Sequence, residues 1–279
     1  MPNDFNQRVI DEFRARHGHV GGPFEGGRLL LLTTTGARTG RPHTTPVGYL
    51  PDGGERVLVI ASAGGAPRHP DWYLNLLAHP EVTVESGLFT YRARAVPLVG
   101  EERDAAFARA VEADPGWAEY QAKTERVIPV VALHSANDGP PRVNARSAAE
   151  AVQVAHDGFR RELALLRQEM DTTGAGLGAQ LRINCLTFCH GLHNHHMGEE
   201  LMLFPSVEAE HPRAAAALVR LRSEHERIAV LVEELRRVVA GGDTATARAE
   251  VERLTRELEA HLAYEEEHLL PLLVDRGRA

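Results

Sequence analysis

A repeated pattern of histidine, glutamate and proline is the feature of this sequence that most directly indicates chemistry. The pattern His-x3-Glu-x5-Pro occurs twice, with all three positions shifted by 66 residues, at His195, Glu199 and Pro205 and again at His261, Glu265 and Pro271. One further histidine precedes each copy, His156 before the first and His225 before the second, and these two lie 69 residues apart. The C-terminal half therefore looks like two tandem helical hairpins.

Helical geometry lets each His-x3-Glu pair act together. Residues four apart differ by only about 40° around an α-helix and lie one turn apart, so both side chains can point into a bundle interior. A pseudo-twofold pairing of the hairpins would bring four histidines and two carboxylates together, and the carboxylates could bridge two ions. Mixed imidazole and carboxylate ligands suit iron or manganese, whereas structural zinc favours thiolate-rich sets. We therefore predict a non-haem di-iron centre held by His156, His195, Glu199, His225, His261 and Glu265.

Other interpretations compete with this metal site. A single His-x3-Glu pair is usually a solvated face or a hydrogen-bonded pair, but four histidines and two glutamates buried without a metal would be costly. The Glu-x-x-His pattern of ferritin-like bundles also occurs. However, its copy at 208–211 runs into Pro212, and its offset of 57 residues to the copy at 265–268 matches no other repeat. Four more residues lie about 100° or more off the His195 stripe, and we expect them to be surface groups or outer partners of the ligands: His190, His193, His196 and Glu200.

Two glycine-containing loops in the N-terminal half form a second candidate site. Residues 33–41 follow an apolar strand and end in a turn with two arginines and several hydroxyls, and residues 61–68 follow another strand. Backbone amides of a glycine turn, together with guanidinium groups, bind anions such as phosphate, although a threonine-rich hairpin with solvated arginines has the same composition. The sequence has no Walker or Rossmann motif. The two loops predict that two strand ends converge on one ligand.

The elements that must position these residues differ between the two halves. Short apolar runs in the N-terminal half predict strands at 28–35, 57–62, 82–85 and 128–134, with a hairpin at 52–54. Helices are predicted there at 3–16, 71–78 and 101–113, which makes a mixed domain with an antiparallel sheet. In the C-terminal half Ala, Leu, Glu and Arg dominate, and breaks near 173–178, 211–212 and 241–242 predict four helices of an antiparallel bundle.

Length and local composition predict where the chain divides. At roughly 150 residues per domain, 279 residues give about two domains. The run Asn-Asp-Gly-Pro-Pro at 137–141 interrupts both helical and strand periodicity. We therefore predict an α+β chain with a strand-rich domain in 1–136, a linker in 137–146 and an all-α four-helix bundle in 147–279.

Composition and charge exclude several classes of protein. With 43% hydrophobic and 25% charged residues the chain is expected to fold, and a net charge of -8 gives no basic surface for nucleic acid. The longest aliphatic run, 29–32, is far shorter than the roughly 18 residues of a membrane span. The first residues lack a signal peptide, so we expect a cytoplasmic protein. Cys185 and Cys189 lie four apart, and we interpret them as small core residues, which leaves any further role open.

The order H…HxxxE…H…HxxxE over residues 152–273 resembles the hemerythrin-like, or HHE cation-binding, family. The resemblance implies an antiparallel four-helix bundle with two iron ions, and it assigns the ligand roles to the six residues named above. The hemerythrins that define the family use five histidines, and only four align here. The resemblance therefore implies an open or water-filled position on one iron, which favours peroxide, nitric oxide or oxygen chemistry over reversible oxygen carriage.

The two loops, the run HPDWYLNL at 69–76 and the run Y-x3-T-x-RVIPV at 120–130 together resemble the deazaflavin-dependent nitroreductase family. The likeness covers residues 29–133. It implies a split β-barrel of the FMN-binding-like kind that binds coenzyme F420. Its reduced form passes a hydride to quinones, nitro compounds or activated double bonds.

The same resemblance assigns roles to residues of the two loops. Separately, because hydride transfer needs positioning more than acid–base help, we offer Ser62 and Tyr120 only as candidate donors to the reduced substrate oxygen. His43 and Ala63 stand where the family carries more basic residues, which weakens anion binding and leaves FMN as the alternative cofactor. The phosphate and polyglutamyl-type tail would be held by Arg38, Thr39, Gly40, Arg41 and Arg68. The ring would be approached by Ser62, Gly64 and Gly65.

A hydride donor fused to a di-iron bundle predicts a reductase whose barrel supplies electrons and whose iron centre reduces oxygen, peroxide or nitric oxide. A deazaflavin strongly prefers to transfer two electrons together as a hydride, so it cannot easily feed iron one electron at a time, whereas FMN could. The coupling is therefore a hypothesis. The alternatives are a sensor that reports oxygen or iron without turnover, and two independent activities in one chain. The expected partners are a small-molecule electron acceptor and a second copy of the chain in a homodimer, with no nucleic acid and no membrane span.

Overall fold

A computed structural model describes residues 4–54, 56–87, 89–136, 142–172 and 176–273. The chain forms two compact units. The first contains the described residues up to 144 together with 178–180, and the second contains 145–177 and the described residues from 181 onward. The predicted domain boundary at 137–141 lies outside the described residues.

The first unit is built on an antiparallel barrel. The strands follow the order β4-β1-β2-β3-β6-β5, and β4 also pairs with β5, which closes the barrel. A two-residue strand, β7, extends the sheet beside β5. The strands are β1 (Leu29–Thr35), β2 (Pro42–Pro51), β3 (Val57–Ile60), β4 (Glu81–Ser86), β5 (Phe89–Pro97), β6 (Val130–Ser135) and β7 (Arg142–Val143).

Four helices accompany these strands. The first three along the chain pack directly on strands of the barrel, because strands with two apolar faces need cover on both sides. The helices are α1 (Asp4–Ala15), α2 (Asp71–Ala78), α3 (Gly100–Ala113) and α4 (Gly116–Ala122). In β1, Leu30 and Leu32 face the barrel interior, whereas Leu29 and Leu31 pack with the apolar face of α1. A continuous apolar run is typical of a strand buried on both faces.

The second unit is an antiparallel four-helix bundle. Its helices are α5 (Ala148–Thr172), α6 (Ala179–Gly198), α7 (Phe204–Glu210), α8 (Ala215–Gly241) and α9 (Thr244–Leu273). A π-helical turn, Glu199–Leu203, joins α6 to α7, so that these two segments form one long element. Pro205 lies two residues beyond the end of this turn. Because proline has no backbone N–H, one α-helical hydrogen bond is missing at that position. Gly242 ends α8 in the left-handed conformation that glycine adopts without strain.

These observations confirm the predicted fold class, although several individual elements differ from their predictions. The predicted helix at 71–78 matches α2, and the hairpin at 52–54 joins β2 to β3. The sequence analysis did not predict β2, β5 or α4. Proline occurs three times in β2, and arginines alternate with small residues in β5, so neither strand has the apolar run that marks β1 and β6. No helix among the described residues is long and apolar enough to cross a membrane.

Truncating a core leucine tests the two-sided burial of β1. Leu32→Ala removes a fully buried side chain from the barrel interior and should lower the free energy of unfolding of the first unit by about 2 to 5 kcal/mol. Leu77→Ala, at a side chain 53% exposed on α2, should change it by less than about 0.5 kcal/mol. Urea denaturation measures both. Equal effects would contradict this description of the core.

Candidate metal centre and cofactor loops

The four long helical elements of the bundle each carry polar residues at the same level, between two apolar clusters. In α5, Val152 belongs to one apolar cluster and Leu163 to the other, with His156 between them. The same alternation holds in α8, where Leu221 and Ile228 flank His225. The polar layer consists of His156, His195, His196, Glu199, His225, His261 and Glu265.

Glu199 lies between two groups of histidines. Its Oε1 is 3.0 Å from His195 Nε2 and 4.0 Å from His156 Nε2, whereas its Oε2 is 3.5 Å from His225 Nε2. One carboxylate oxygen therefore faces each group. This is the arrangement of a carboxylate that bridges two cations, and the π-helical turn begins at this residue.

Glu265 occupies the equivalent position on α9. Its Oε2 is 3.5 Å from His156 Nε2 and 3.6 Å from His261 Nε2. Both glutamates of the repeated sequence pattern thus contact histidines from both sides of the layer. The structure brings together all six residues that the sequence predicts as ligands.

The structure adds a fifth histidine, which corrects one expectation. His196, predicted as a surface group or outer partner, is only 7% exposed. Its ring stacks on His225 with centroids 4.0 Å apart, and one ring nitrogen each of His196, His225 and His261 lies within 4.8 Å of the others. The expectation failed because it assumed one inward stripe per helix. A layer wide enough for two ions accepts two stripes about 100° apart. The layer therefore contains five histidines, one more than the four that the repeated sequence pattern aligns.

The polar layer has donor atoms without partners. Nine buried side-chain atoms in it have no hydrogen-bond partner among the described residues: Nε2 of His156, His195, His196, His225 and His261 and both carboxylate oxygens of Glu199 and Glu265. Buried polar atoms are almost always paired in native proteins, since an unpaired one costs about 1 to 3 kcal/mol. Imidazole nitrogens and carboxylate oxygens converging in this way fit two cations of the iron or manganese type.

Outer carboxylates fix the orientation of three of these imidazoles. Nδ1 of His156 donates to Glu266, Nδ1 of His225 donates to Glu200, and Nδ1 of His261 donates to Glu224, at 2.9 to 3.0 Å. A proton held on Nδ1 leaves the Nε2 lone pair directed at the layer. Two of the carboxylates are held in turn by arginines, Glu266 by Arg160 and Glu224 by Arg220.

Burial sets the protonation states in the layer. Burial and the neighbouring imidazoles of His225 and His195 lower the pKa of His196 to about 2, and burial lowers the pKa of His261 to about 4. Both are neutral at pH 7 and available as ligands. Burial and the Glu199 carboxylate raise the pKa of Glu265 well above its usual range. Burial also acts to raise the pKa of Glu199, but the neighbouring imidazoles of His156 and His195 outweigh it and lower that pKa. A dication would favour the ionised form of both carboxylates.

Apart from Glu265, the ferritin-like pattern does not converge on this layer. Glu208 pairs with Arg222, and His268 stacks on Tyr264 with centroids 3.9 Å apart. His190 and His193 are exposed, as the sequence analysis predicts. Cys185 and Cys189 are fully buried in the larger apolar cluster, consistent with their interpretation as core residues.

In the barrel unit, the turn between β1 and β2 is anchored by α2. The side chain of Asn75 accepts a hydrogen bond from the Ala37 backbone at 3.0 Å and donates one to Thr34 at 3.1 Å. Gly36 has no room for a side chain, since a Cβ there would lie 2.5 Å from the Thr39 hydroxyl. Within this turn the predicted anion-binding residues are all exposed, namely Arg38, Thr39, Gly40 and Arg41.

The loop after β3 uses glycine at two positions. Gly64 and Gly65 have φ values of 64° and 82°, a region that side chains disfavour. A Cβ on Gly65 would lie 2.8 Å from the Tyr120 carbonyl of α4, so glycine permits this close approach. The Tyr120 ring itself packs edge to face on Trp117. Arg68 is exposed at the end of the same loop.

Arg126, which the sequence analysis did not assign as a site residue, organises this loop. Its guanidinium donates to the carbonyls of Ala61, Ser62 and Ala66 at 3.1, 2.5 and 2.8 Å and to His69 Nδ1 at 3.2 Å. Because arginine only donates, His69 Nδ1 must accept, so the proton of the neutral ring sits on Nε2. Burial and the Arg126 charge lower the pKa of His69, which keeps that ring neutral. The loop thus presents the exposed residues Ala63, Gly64 and Arg68 on a fixed backbone.

These features define two kinds of domain in one chain. The first is a reductase-like barrel with two glycine-containing loops, and the second is a cation-binding type of bundle with a converging set of imidazoles and carboxylates. Residues 6–135 match the family described as F420H(2)-dependent quinone reductase. Residues 147–273 match the hemerythrin HHE cation binding domain. The chain belongs to the F420H(2)-dependent quinone reductase family and carries a hemerythrin HHE domain, which confirms both predicted resemblances.

Several relatives resemble the first unit. The F420H(2)-dependent quinone reductase Rv1261c of Mycobacterium tuberculosis (strain ATCC 25618 / H37Rv) is 38% identical over 125 residues, which cover 43% of this chain and 83% of that protein. A solved F420-H2 dependent reductase (FDR-A) is 42% identical and covers 38% of this chain and 94% of its own, with a TM-score of 0.36. A second solved structure, described as a domain-swapped dimer, is 37% identical, with coverages of 48% and 100% and a TM-score of 0.37.

Removing the fifth histidine tests the corrected ligand set. We expect the chain to retain two iron ions after anaerobic loading and gel filtration, and His196→Ala to retain about one, because it removes one of the three imidazoles on its side of the layer. His190→Gln, at an exposed histidine of the same helix, should retain two. Elemental analysis measures the content. Two retained ions in His196→Ala would contradict a ligand role for this residue.

The buried thiols provide a test of the bundle core. Burial raises the pKa of Cys189 to about 11, so this thiol stays protonated at pH 8.5, where the reactive thiolate would otherwise form. We expect a thiol reagent at pH 8.5 to modify two cysteines within minutes in guanidinium chloride and none over the same period in the native chain. Rapid modification of the native chain would show that this core opens readily.

Proposed function

We propose that the barrel binds F420 and uses its reduced form to reduce a quinone-class acceptor, and that the bundle holds two iron ions. Membership of the quinone reductase family supports the first part. The observation that carries the second part is the set of nine unpartnered imidazole and carboxylate atoms in the bundle interior.

In the barrel, we assign the two loops to opposite ends of one cofactor. The exposed guanidinium groups of Arg38, Arg41 and Arg68, with Thr39 and Gly40, would hold the phosphate and the anionic tail. Ser62, Gly64 and Gly65 would approach the ring, with Gly64 exposed at the loop surface, because a glycine backbone allows close approach. When bound, reduced F420 would supply a hydride.

The chain must also position the acceptor and supply a proton to the reduced quinone oxygen. Ser62 and Tyr120 remain the proposed donors. His69 joins them as a third candidate, since Arg126 fixes its proton on Nε2. FMN is the alternative ring, and family membership favours F420 over it.

In the bundle, we assign one ion to His156 and His195 and the other to His196, His225 and His261. Glu199 and Glu265 would bridge the two ions. Bound iron would supply one-electron redox chemistry toward oxygen, peroxide or nitric oxide. The outer carboxylates would keep three of the five imidazoles, those of His156, His225 and His261, oriented as ligands.

We further propose that a quinone links the two activities. A deazaflavin transfers two electrons together as a hydride, whereas metal ions accept them singly. Hydride and proton transfer to a quinone yields a hydroquinone, which can release electrons one at a time. This product is therefore a chemically suitable carrier between the two kinds of site.

Anaerobic mixing of the iron-loaded chain with reduced F420 and a water-soluble quinone tests the proposal. Deazaflavin oxidation and bleaching of the near-ultraviolet iron bands are followed together. We expect deazaflavin oxidation to require quinone, and the iron bands to bleach only when both reagents are present. Reduced FMN in place of F420 tests the alternative cofactor.

Two variants separate the activities. Arg38→Ala/Arg41→Ala should slow quinone reduction at low F420 concentration, whereas His261→Ala should leave quinone reduction unchanged and abolish the iron bands. If the iron bands never bleach although quinone is reduced, the coupling is wrong and two independent activities remain. If reduced FMN supports turnover and F420 does not, the cofactor assignment is wrong.

Replacing Arg126 tests the fixed loop. Arg126→Lys keeps the charge, but one ammonium cannot reach the four acceptors that the guanidinium joins. We expect the Kd for F420, measured by its fluorescence, to rise about tenfold or more, since hydrogen bonds from a charged donor contribute about 1.5 to 3 kcal/mol each. Arg94→Lys, in an exposed salt bridge with Glu81, should leave the Kd unchanged. An unaltered Kd in Arg126→Lys would contradict the positioning role.

A further inference from the structure

A pocket of about 350 Å³ lies between α6 and α8 and reaches the polar layer. One wall includes His193 and His196 of α6 and Glu200 of the π-helical turn that follows, and these residues, spaced by three and four, lie on one helical face. This face is distinct from the His195 and Glu199 stripe. It contains the histidines and the carboxylate that the sequence pattern leaves without a ligand role.

The inner end of the pocket is formed by two ligands of the candidate centre. His196 and His225 line it, both more than nine-tenths buried and stacked on each other. The Nε2 atoms of both have no hydrogen-bond partner among the described residues. The pocket thus reaches from solvent to the rings of two candidate ligands, whose Nε2 atoms are themselves buried.

The charged groups that line the pocket are mainly acidic. Glu226 and Glu233 are exposed on the α8 side, and Glu200 accepts the hydrogen bond of His225 Nδ1 on the α6 side. Arg236 is the one arginine in the lining of this described pocket. Carboxylates around a confined opening raise the local concentration of cations and speed their association.

The size of the pocket fits a hydrated ion. At roughly 30 Å³ per water molecule, a divalent ion with six waters occupies about 200 Å³. His193 and Glu226 would replace some of these waters as ligands of the ion. When the ion then moves inward, the imidazole of His196 would be its next ligand. Apolar side chains of both helices complete the walls, so the polar groups form a defined track.

We propose that this pocket is the route by which a divalent metal ion reaches the centre, with His193, Glu226 and Glu233 as transient partners and His196 as the first permanent ligand. The proposal rests on the metal centre proposed above. It assigns a role to the second His and Glu stripe of α6 that is separate from holding the ions.

Stopped-flow loading of Co²⁺ into the metal-depleted full chain tests this route, with the helical content first verified by circular dichroism. In Glu226→Gln/Glu233→Gln we expect the loading rate at low ionic strength to fall about three- to tenfold, and the difference to shrink in 0.5 M salt. The final cobalt spectrum and stoichiometry should match the wild type. Glu257→Gln/Glu259→Gln, which removes two exposed charges from α9 outside the pocket, should load at the wild-type rate.

A second variant tests the path rather than the charge. Ala229 lines the pocket, and Ala229→Trp should slow both loading and extraction of cobalt by a chelator at least fivefold, with an unchanged final spectrum. Extraction starts from the loaded chain and so applies even if metal depletion unfolds the bundle. Wild-type loading and extraction rates in these variants would overturn the route, as would a lower final stoichiometry in the glutamine variant. Absence of cobalt binding to the wild type would instead refute the metal centre itself.

Discussion

The requirement to neutralise a buried layer of five imidazoles and two carboxylates governs the second unit. Each unpaired buried polar atom costs about 1 to 3 kcal/mol, a large share of the roughly 5 to 15 kcal/mol that keeps a domain folded. The layer is held between two apolar clusters, so solvent cannot satisfy it. Cations are the partners that match its donor set, and the outer glutamates and arginines orient the imidazoles toward them.

The barrel unit solves a different problem, because its candidate site lies on exposed loops rather than in the core. Both loops are fixed by one polar side chain from elsewhere in the unit, Asn75 for the turn after β1 and Arg126 for the loop after β3. Glycines free the backbone to approach a ligand, and these anchors limit the freedom that glycine introduces. The arginines that would hold an anion stay exposed, which suits an extended cofactor tail.

Much of this follows from the sequence, and the exceptions have physical causes. Two register-matched His and Glu pairs sufficed to predict the bundle and six residues of its centre, because helical periodicity fixes which residues share a face. It could not show that His196 also faces inward, since that depends on the width of the layer. Asn75 and Arg126 lay within recognised sequence runs, but their roles depend on hydrogen-bond partners up to 65 residues away. The strand β2 was not predicted because prolines interrupt its pattern.

X-ray absorption spectroscopy of the iron-loaded chain tests the central claim most directly, because it reports ligand type and metal separation together. Two bridging carboxylates and five imidazoles predict between two and three histidines per iron on average and a metal–metal vector of roughly 3 to 4 Å. A spectrum with that vector and that imidazole scattering would support the account. Iron bound without a metal–metal vector, or by oxygen ligands alone, would contradict it.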